Sequence, residues 1–275
     1  VPLLQIAVLA LVQGITEFLP ISSWAHLILV SKVSGWPDHG LLMEAAVHVG
    51  TLFAVILYLR RDIAGMLVGL ARAARRRKDA GARLAGQVAI GSIPVAAAGF
   101  AVEYVEPEGL RSIHVIAWTT IGFAGVLYAT DRMGMTLRRI EHLTALDAAI
   151  IGLAQALALV PGTSRSGVTM SAARLLGMER PDAARFSLML SIPASTGAGL
   201  LEGLKLYRSG SAELAVDALF AAVLAFASAL IAIAAMMAWL RRASFTPFVV
   251  YRLILGAVLL AFAHGWGERL WTLFD

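Results

Sequence analysis

Residues 160–169 read Val-Pro-Gly-Thr-Ser-Arg-Ser-Gly-Val-Thr, a polar stretch inside an apolar sequence. The apolar arms on either side, 148–160 and 168–177, are each shorter than the roughly 20 helical residues that cross a bilayer core of about 30 Å. A chain built this way turns back at membrane depth, where irregular backbone is tolerated only against protein or water. Pro161 ends the first arm, because it lacks an N–H and disfavours helix in the residue before it. Gly162 and Gly167 allow a tight turn. The second arm then starts with Ser or Thr near its cap and free N–H groups pointing into the loop. Those amides, the hydroxyls of Ser164, Ser166 and Thr169 and the guanidinium of Arg165 describe a socket for an oxyanion such as phosphate.

The rest of the chain agrees with a membrane setting. Hydrophobic residues make up 59% of it and charged residues only 15%. One integral membrane domain over residues 1–275 is expected, with no soluble domain. The first residues read as part of that domain and not as a removed signal peptide, since no basic segment precedes the apolar run. With no cysteine in the chain, disulfides, thiolate metal sites and a cysteine nucleophile are excluded. The net charge of +5 does not point to nucleic acid, because the basic residues sit between apolar runs, where they set orientation and meet membrane lipids.

A second short hairpin opens the sequence. Residues 3–12 are apolar, Gln13, Thr16, Glu17, Pro20, Ser22, Ser23 and His26 follow, and a second apolar run reaches Val30. Re-entrant hairpins are therefore expected at about 3–30 and 148–177. Full spans are expected at 41–59, 84–102, 113–130, 186–204, 215–239 and 247–265. Arginines place the loops at 60–83, 132–147, 178–185 and 241–246 in the cytoplasm. The loops at 103–112 and 205–214 and both termini then lie outside. All four basic loops share one side only if neither hairpin crosses.

The hairpins thus enter from opposite faces, and the halves resemble each other, about 1–131 against 147–265. Gln13, Pro20, Ser22 and Ser23 match Gln155, Pro161, Thr163 and Ser164 with one residue of slippage. Met43-Glu44-x3-His48-x-Gly50 matches Phe186-Ser187-x3-Ser191-x-Pro193 in register. The expected fold is an all-α integral membrane protein of six transmembrane helices plus two opposed re-entrant hairpins, an inverted repeat whose polar loops meet at one midplane site.

Several residues suit chemistry there. Glu17 is an intramembrane carboxylate one helical turn from Gln13, costly unless it functions or is buried against loop amides. Ser23 and His26 lie three apart at a helix start, so hydroxyl and imidazole suit a nucleophile and base or a phosphate ligand and general acid, while Ser22 or Ser23 alternatively caps the helix. Arg165 needs an anion, either Glu17 or a substrate phosphate. Thr169 adds a cap or one more hydroxyl. Glu44 and His48 share one face of the first span and either line the site or pack as polar residues. Gly65-x3-Gly69 is a spacing that lets helices pack closely.

The motifs Gln13-Gly-Ile-Thr-Glu17-Phe-Leu-Pro-Ile-Ser22-Ser23-x-x-His26-Leu and Pro161-Gly-Thr-Ser164-Arg165-Ser166-Gly-Val-Thr169 resemble the bacterial undecaprenyl-diphosphate phosphatase family, also called the bacitracin-resistance protein family. The resemblance covers nearly the whole chain. It implies an enzyme of the bacterial plasma membrane that removes the terminal phosphate of undecaprenyl diphosphate, recycling the lipid carrier of cell-wall synthesis. It also implies a divalent cation, Mg²⁺ or Ca²⁺, with Glu17 as metal ligand. Where the family commonly has Thr-Gly after the paired serines, this chain has Trp24-Ala25. Gln13 replaces a Glu found in other members, which places more weight on Glu17.

The expected site therefore has Glu17, Ser23, His26 and Arg165 as catalytic groups. Gln13, Ser22, Ser164, Ser166, Thr169, Glu44 and His48 surround the polyprenyl diphosphate. Ser23 attacks with His26 as base or acid, or else His26 or a metal-bound water is the nucleophile. A secondary transporter or flippase of a polyprenyl-phosphate lipid shares the architecture and is the alternative. Homo-oligomer formation is left open.

Overall fold

The computed structural model describes residues 2–36, 40–105, 112–209 and 215–265. Among the described residues the regular structure is helical, with no strands. The helices are α1 (Leu3–Phe18), α2 (Ser23–Ser34), α3 (Gly40–Tyr58), α4 (Arg60–Ala74), α5 (Ala80–Val105), α6 (Ile113–Met133), α7 (Ala145–Ala156), α8 (Arg165–Leu175), α9 (Arg180–Ser209), α10 (Ala215–Leu240) and α11 (Thr246–Ala263). Short 3₁₀ turns cover Ile140–His142 and Leu157–Leu159. Four helices, α5, α6, α10 and α11, are long and apolar enough to cross a membrane. The expected outer loops fall mostly at 106–111 and 210–214, outside the described residues, as do residues 266–275.

The two short hairpins form as helix–turn–helix units, α1–α2 and α7–α8. Their neighbours correspond. Helix α1 packs on α10 and α7 on α5, while α3 meets α10 and α9 meets α5. Helices α3 and α9 pack against each other, and α6 pairs with α11. Small residues bring the hairpins in close. A Cβ on Gly14 would strike Ala225 and Ser228 of α10, and one on Gly152 would strike the backbone of Gly91 in α5. The largest apolar core includes Phe18, Ile151, Met170, Phe186, Ile233 and Phe245 and so joins both hairpins to α9, α10 and α11.

Two expectations change. The basic segment 60–83 is not a loop. Residues 60–74 form α4, which folds back along α5 because bare Gly69 admits the Gly81–Ala82 backbone and bare Gly81 admits the Gly65 carbonyl. Leu67, Val68 and Leu70 stay exposed on this amphipathic helix. The one-residue slippage between the halves also disappears. Ser22 (φ 71°, ψ 100°) and Ser164 (φ 70°, ψ 109°) adopt the same left-handed backbone conformation, and each immediately precedes its helix. Their separation is the one that relates Gln13 to Gln155, so Ser164 is the counterpart of Ser22, and Gly162, not Pro161, that of Pro20. A proline cannot reach the φ of +92° that Gly162 adopts, and a Cβ there would meet Thr119 and Ile116 of α6.

One polar cluster sits far along α8 from the turn. Arg174 and Asp131 are ion-paired at 3.1 Å with side chains 1% and 3% exposed. Arg180 joins the same carboxylate at 2.7 Å, and Asp131 also accepts from the Phe245 N–H. Arg174 donates to the carbonyls of Asp131, Gly134 and Met178, so its donors are satisfied where water is absent. This knot fixes α8, α6 and the start of α11 together.

Candidate active site

The two turns meet at a carboxylate. Glu17 lies in the last turn of α1, and its Oε1 accepts from Arg165 Nη2 at 2.8 Å across the hairpins. Its Oε2 accepts from Gln13 Nε2 at 3.0 Å and from the Ser23 hydroxyl at 3.3 Å. Three expected residues therefore converge on a fourth. Of the two partners open to Arg165, the structure pairs it with Glu17. Each side chain is only about one-eighth exposed, 16% and 11%, so the charges offset one another in a poorly hydrated place. The guanidinium also lies 5.9 Å from the ring centre of buried Phe18, which limits its freedom.

A cavity of about 600 Å³ opens beside this pair. Gln13, Glu17, Ser22, Ser23, Glu44, His48, Ser164 and Arg165 supply its polar wall. Leu9, Leu27, Ile28, Val47, Val95 and Leu159 supply an apolar one. Glu44 and His48 thus line the site from α3. The interior prolines of α5 and α9, Pro94 and Pro193, stand next to the lining residues Val95, Ala194 and Ser195.

The turn backbone explains how these groups face one another. Non-glycine residues at positive φ cost about 1–3 kcal/mol each and persist only where the surroundings hold them. Ser164 caps α8, its hydroxyl accepting from Gly167 N–H at 3.3 Å. Ser22 occupies the cap position of α2 without a side-chain capping bond. The first helical residues, Ser23 and Arg165, are thereby aimed from opposite hairpins at Glu17.

Three expected residues lie elsewhere. His26 is turned toward α11, its Nδ1 against the Ser22 carbonyl and its Nε2 against the Tyr251 hydroxyl, both at 2.7 Å. Its ring stacks on Tyr251 at 5.5 Å between centroids. The Ser23 hydroxyl is engaged by Glu17 and not by His26, because the imidazole is held by these two partners. Ser166 is buried and donates to the Leu19 carbonyl at 2.8 Å, tying the second turn to the first. Thr169 is fully buried inside α8, bonded to the Arg165 carbonyl and to Ser187. Among the described residues no three His, Asp or Glu side chains converge as a ready metal cage.

The sequence reading missed Tyr251 and Arg252. Arg252 is fully buried in α11 and donates to carbonyls of both turns. The signal was available, since a cation inside the apolar run 247–265 carries the same warning as Glu17 and Arg165.

A family profile described as Bacitracin resistance protein BacA matches residues 6–258. The chain belongs to the BacA family. An "Undecaprenyl-diphosphatase 1" of Rhodospirillum rubrum is 52% identical to it over 269 residues, covering 95% of each chain. An "Undecaprenyl-diphosphatase" of Hahella chejuensis is 48% identical over 95% of this chain and 98% of its own. One of Ruegeria sp. is 47% identical over 96% of this chain and the whole of its own. This BacA member is accordingly an all-α, multi-pass membrane protein, and the family resemblance drawn from the two motifs holds.

Proposed function

We propose that this chain hydrolyses undecaprenyl diphosphate to undecaprenyl phosphate and inorganic phosphate in the bacterial plasma membrane. The observation that carries this reading is the convergence of Ser23 and Arg165, from two separate hairpins, on Glu17 at the polar wall of a mainly apolar cavity. The polar wall suits a diphosphate and the apolar wall the first part of a lipid tail.

In the proposed reaction the incoming diphosphate takes Arg165 from Glu17, because a multiply charged oxyanion offers more acceptors than one carboxylate. Arg165, the Ser164 hydroxyl and the amides at the start of α8 hold the phosphates and stabilise developing charge. Ser23 attacks the terminal phosphorus, and its proton passes to Glu17, which already accepts that hydroxyl's hydrogen bond. The bond from that phosphorus to the bridging oxygen breaks, undecaprenyl phosphate leaves, and water then hydrolyses the phosphoserine to inorganic phosphate and restores Ser23. His26, fixed between Ser22 and Tyr251, orients the start of α2. Attack by His26 finds no support in this arrangement, since both ring nitrogens are engaged.

The donor set suits a hard divalent cation such as Mg²⁺ or Ca²⁺. Gln13 Oε1 is a buried oxygen with no hydrogen-bond partner, and Glu17 and Glu44 line the same cavity. These residues would hold such an ion, which would supply neutralisation of the leaving phosphate.

The proposal includes six spans, two opposed re-entrant hairpins, outer termini and an outward-opening site. Short arms support it: α2 and α8, at 12 and 11 residues, are far under the about 20 needed to cross. So do the matching backbone at Ser22 and Ser164 and the corresponding helix neighbours.

The test is phosphate release from a polyprenyl diphosphate by purified protein in detergent, with and without chelator. Chelator-sensitive release that is lost in Glu17→Ala and Arg165→Ala is expected. No release from folded wild type would sink the enzyme reading, and lipid movement in vesicles that survives Glu17→Ala would replace it with a carrier.

A further inference from the structure

Arg252 is a guanidinium with no exposed surface. Each of its hydrogen-bond partners is a backbone carbonyl. Nε donates to Thr120 of α6 at 3.2 Å, Nη1 to Pro20 at 3.4 Å, and Nη2 to Gly162 and Thr163, both at 3.0 Å. Pro20 and Gly162 are the equivalent residues of the two turns, each two positions before the serine at positive φ. One side chain therefore grips the same carbonyl in both hairpins. A buried cation that relies on carbonyls is costly to maintain, and a structural need for adhesion alone is met more cheaply by apolar packing. The rigid fork of arginine meets carbonyls on three segments at once, which the single ammonium of lysine does not.

We infer that Arg252 is a positioning residue for the proposed hydrolysis: by bridging the Pro20 and Gly162 carbonyls it sets the spacing between the starts of α2 and α8, and hence between Ser23 and Arg165. Its side chain is fully buried and does not line the cavity. Gly167 is glycine for a related reason, since a Cβ there would come within 2.8 Å of Arg252 Nη1 and push the fork off the turns. The inference rests on the proposed phosphatase reaction for its kinetic arm only.

The test combines Arg252→Lys with Gly167→Ala, which displaces the fork while keeping the charge. Phosphate release is measured on each, and the spacing of the turns is read from spin labels on Ile15→Cys and Leu157→Cys. These exposed positions stand on the two hairpins, and the chain has no cysteine of its own. A misplacement near 1 Å costs about 100-fold in rate. Both variants are expected to lose about that factor in kcat with KM changed less than threefold, and to broaden a distance distribution that is narrow in the parent. Variants that keep kcat overturn the inference. So does a fall in kcat with an unchanged distribution, and so does failure of both variants to fold, which would make Arg252 a general structural residue. If the parent itself releases no phosphate, the phosphatase reading fails, while the label distances still decide whether Arg252 spaces the turns.

Discussion

Helix α8 carries an arginine near each end, and each is paired with a carboxylate from another helix. The two pairs are made differently. Arg165 meets Glu17 beside a cavity, and a single bond from one of its nitrogens holds it there. Arg174 meets Asp131 out of reach of solvent, with carbonyls of Asp131, Gly134 and Met178 taking its other donors. The first pair is exchangeable, because any anion admitted to the cavity can compete for the guanidinium. The second is permanent, because no competitor can reach it. In the proposed reaction the same kind of pair thus serves chemistry at one end of a helix of 11 residues, while it gives anchorage at the other.

The contrast breaks most visibly in activity. Arg165→Ala and Glu17→Ala are each expected to lower phosphate release by about 10²–10³-fold, the usual loss for one charge-stabilising donor, with little change in thermal unfolding in detergent. A large drop in Tm for either would make that pair structural as well. Asp131→Asn should do the reverse. It strands Arg174 without a counter-charge and is expected to cost about 3–5 kcal/mol of stability, read as a lowered unfolding midpoint, while KM for the lipid stays within a few-fold.

Smaller changes sharpen the boundary between the ends. Thr169→Val removes one buried hydroxyl midway along α8 and is expected to cost about 1 kcal/mol with KM unchanged; a raised KM would return Thr169 to the substrate's ligands. The smallest effect lies outside the membrane, at the start of α7. Burial pushes the Asp147 carboxyl upward, but Arg138 and the Thr144 hydroxyl and N–H outweigh it and hold the pKa below the ordinary value. A depressed folded-state pKa stabilises above the unfolded carboxylate value near 4, and that contribution fades as pH falls through the folded value. Unfolding midpoints measured from neutral to acid pH should therefore show a fall that Asp147→Asn flattens. Equal acid sensitivity in both proteins would assign it to other groups.

How much of this was legible in advance depends on the scale. The hairpins were readable because an apolar run either reaches crossing length or does not, and because proline and glycine mark turns. Glu17 and Arg165 were readable because charges in apolar sequence demand a reason. The fate of individual hydroxyls was not. Ser164, Ser166 and Thr169 sit within six positions, and only three-dimensional packing decides that Ser164 faces the cavity while the others bond to Leu19 and Ser187. Ser23 and His26 have the spacing of partners, yet Tyr251 lies 225 residues from His26 and captures its ring. The loop expected at 60–83 concealed a helix because its arginines outweighed the amphipathic pattern of residues 60–74, although the glycine spacing within it was noted.

The resident Glu17–Arg165 contact also acts as a threshold on what occupies the cavity. A ligand must displace a carboxylate before it can use Arg165, so the gain from binding is the difference between two anions and not the full attraction of one. In the proposed reaction a lipid diphosphate, with two phosphate groups to offer, clears that threshold more easily than the lipid monophosphate left behind. When the terminal phosphate has gone, Glu17 recovers its arginine, and the re-formed contact ejects the product. Weak retention of the monophosphate follows from a contact that looks, in the resting protein, like an obstruction.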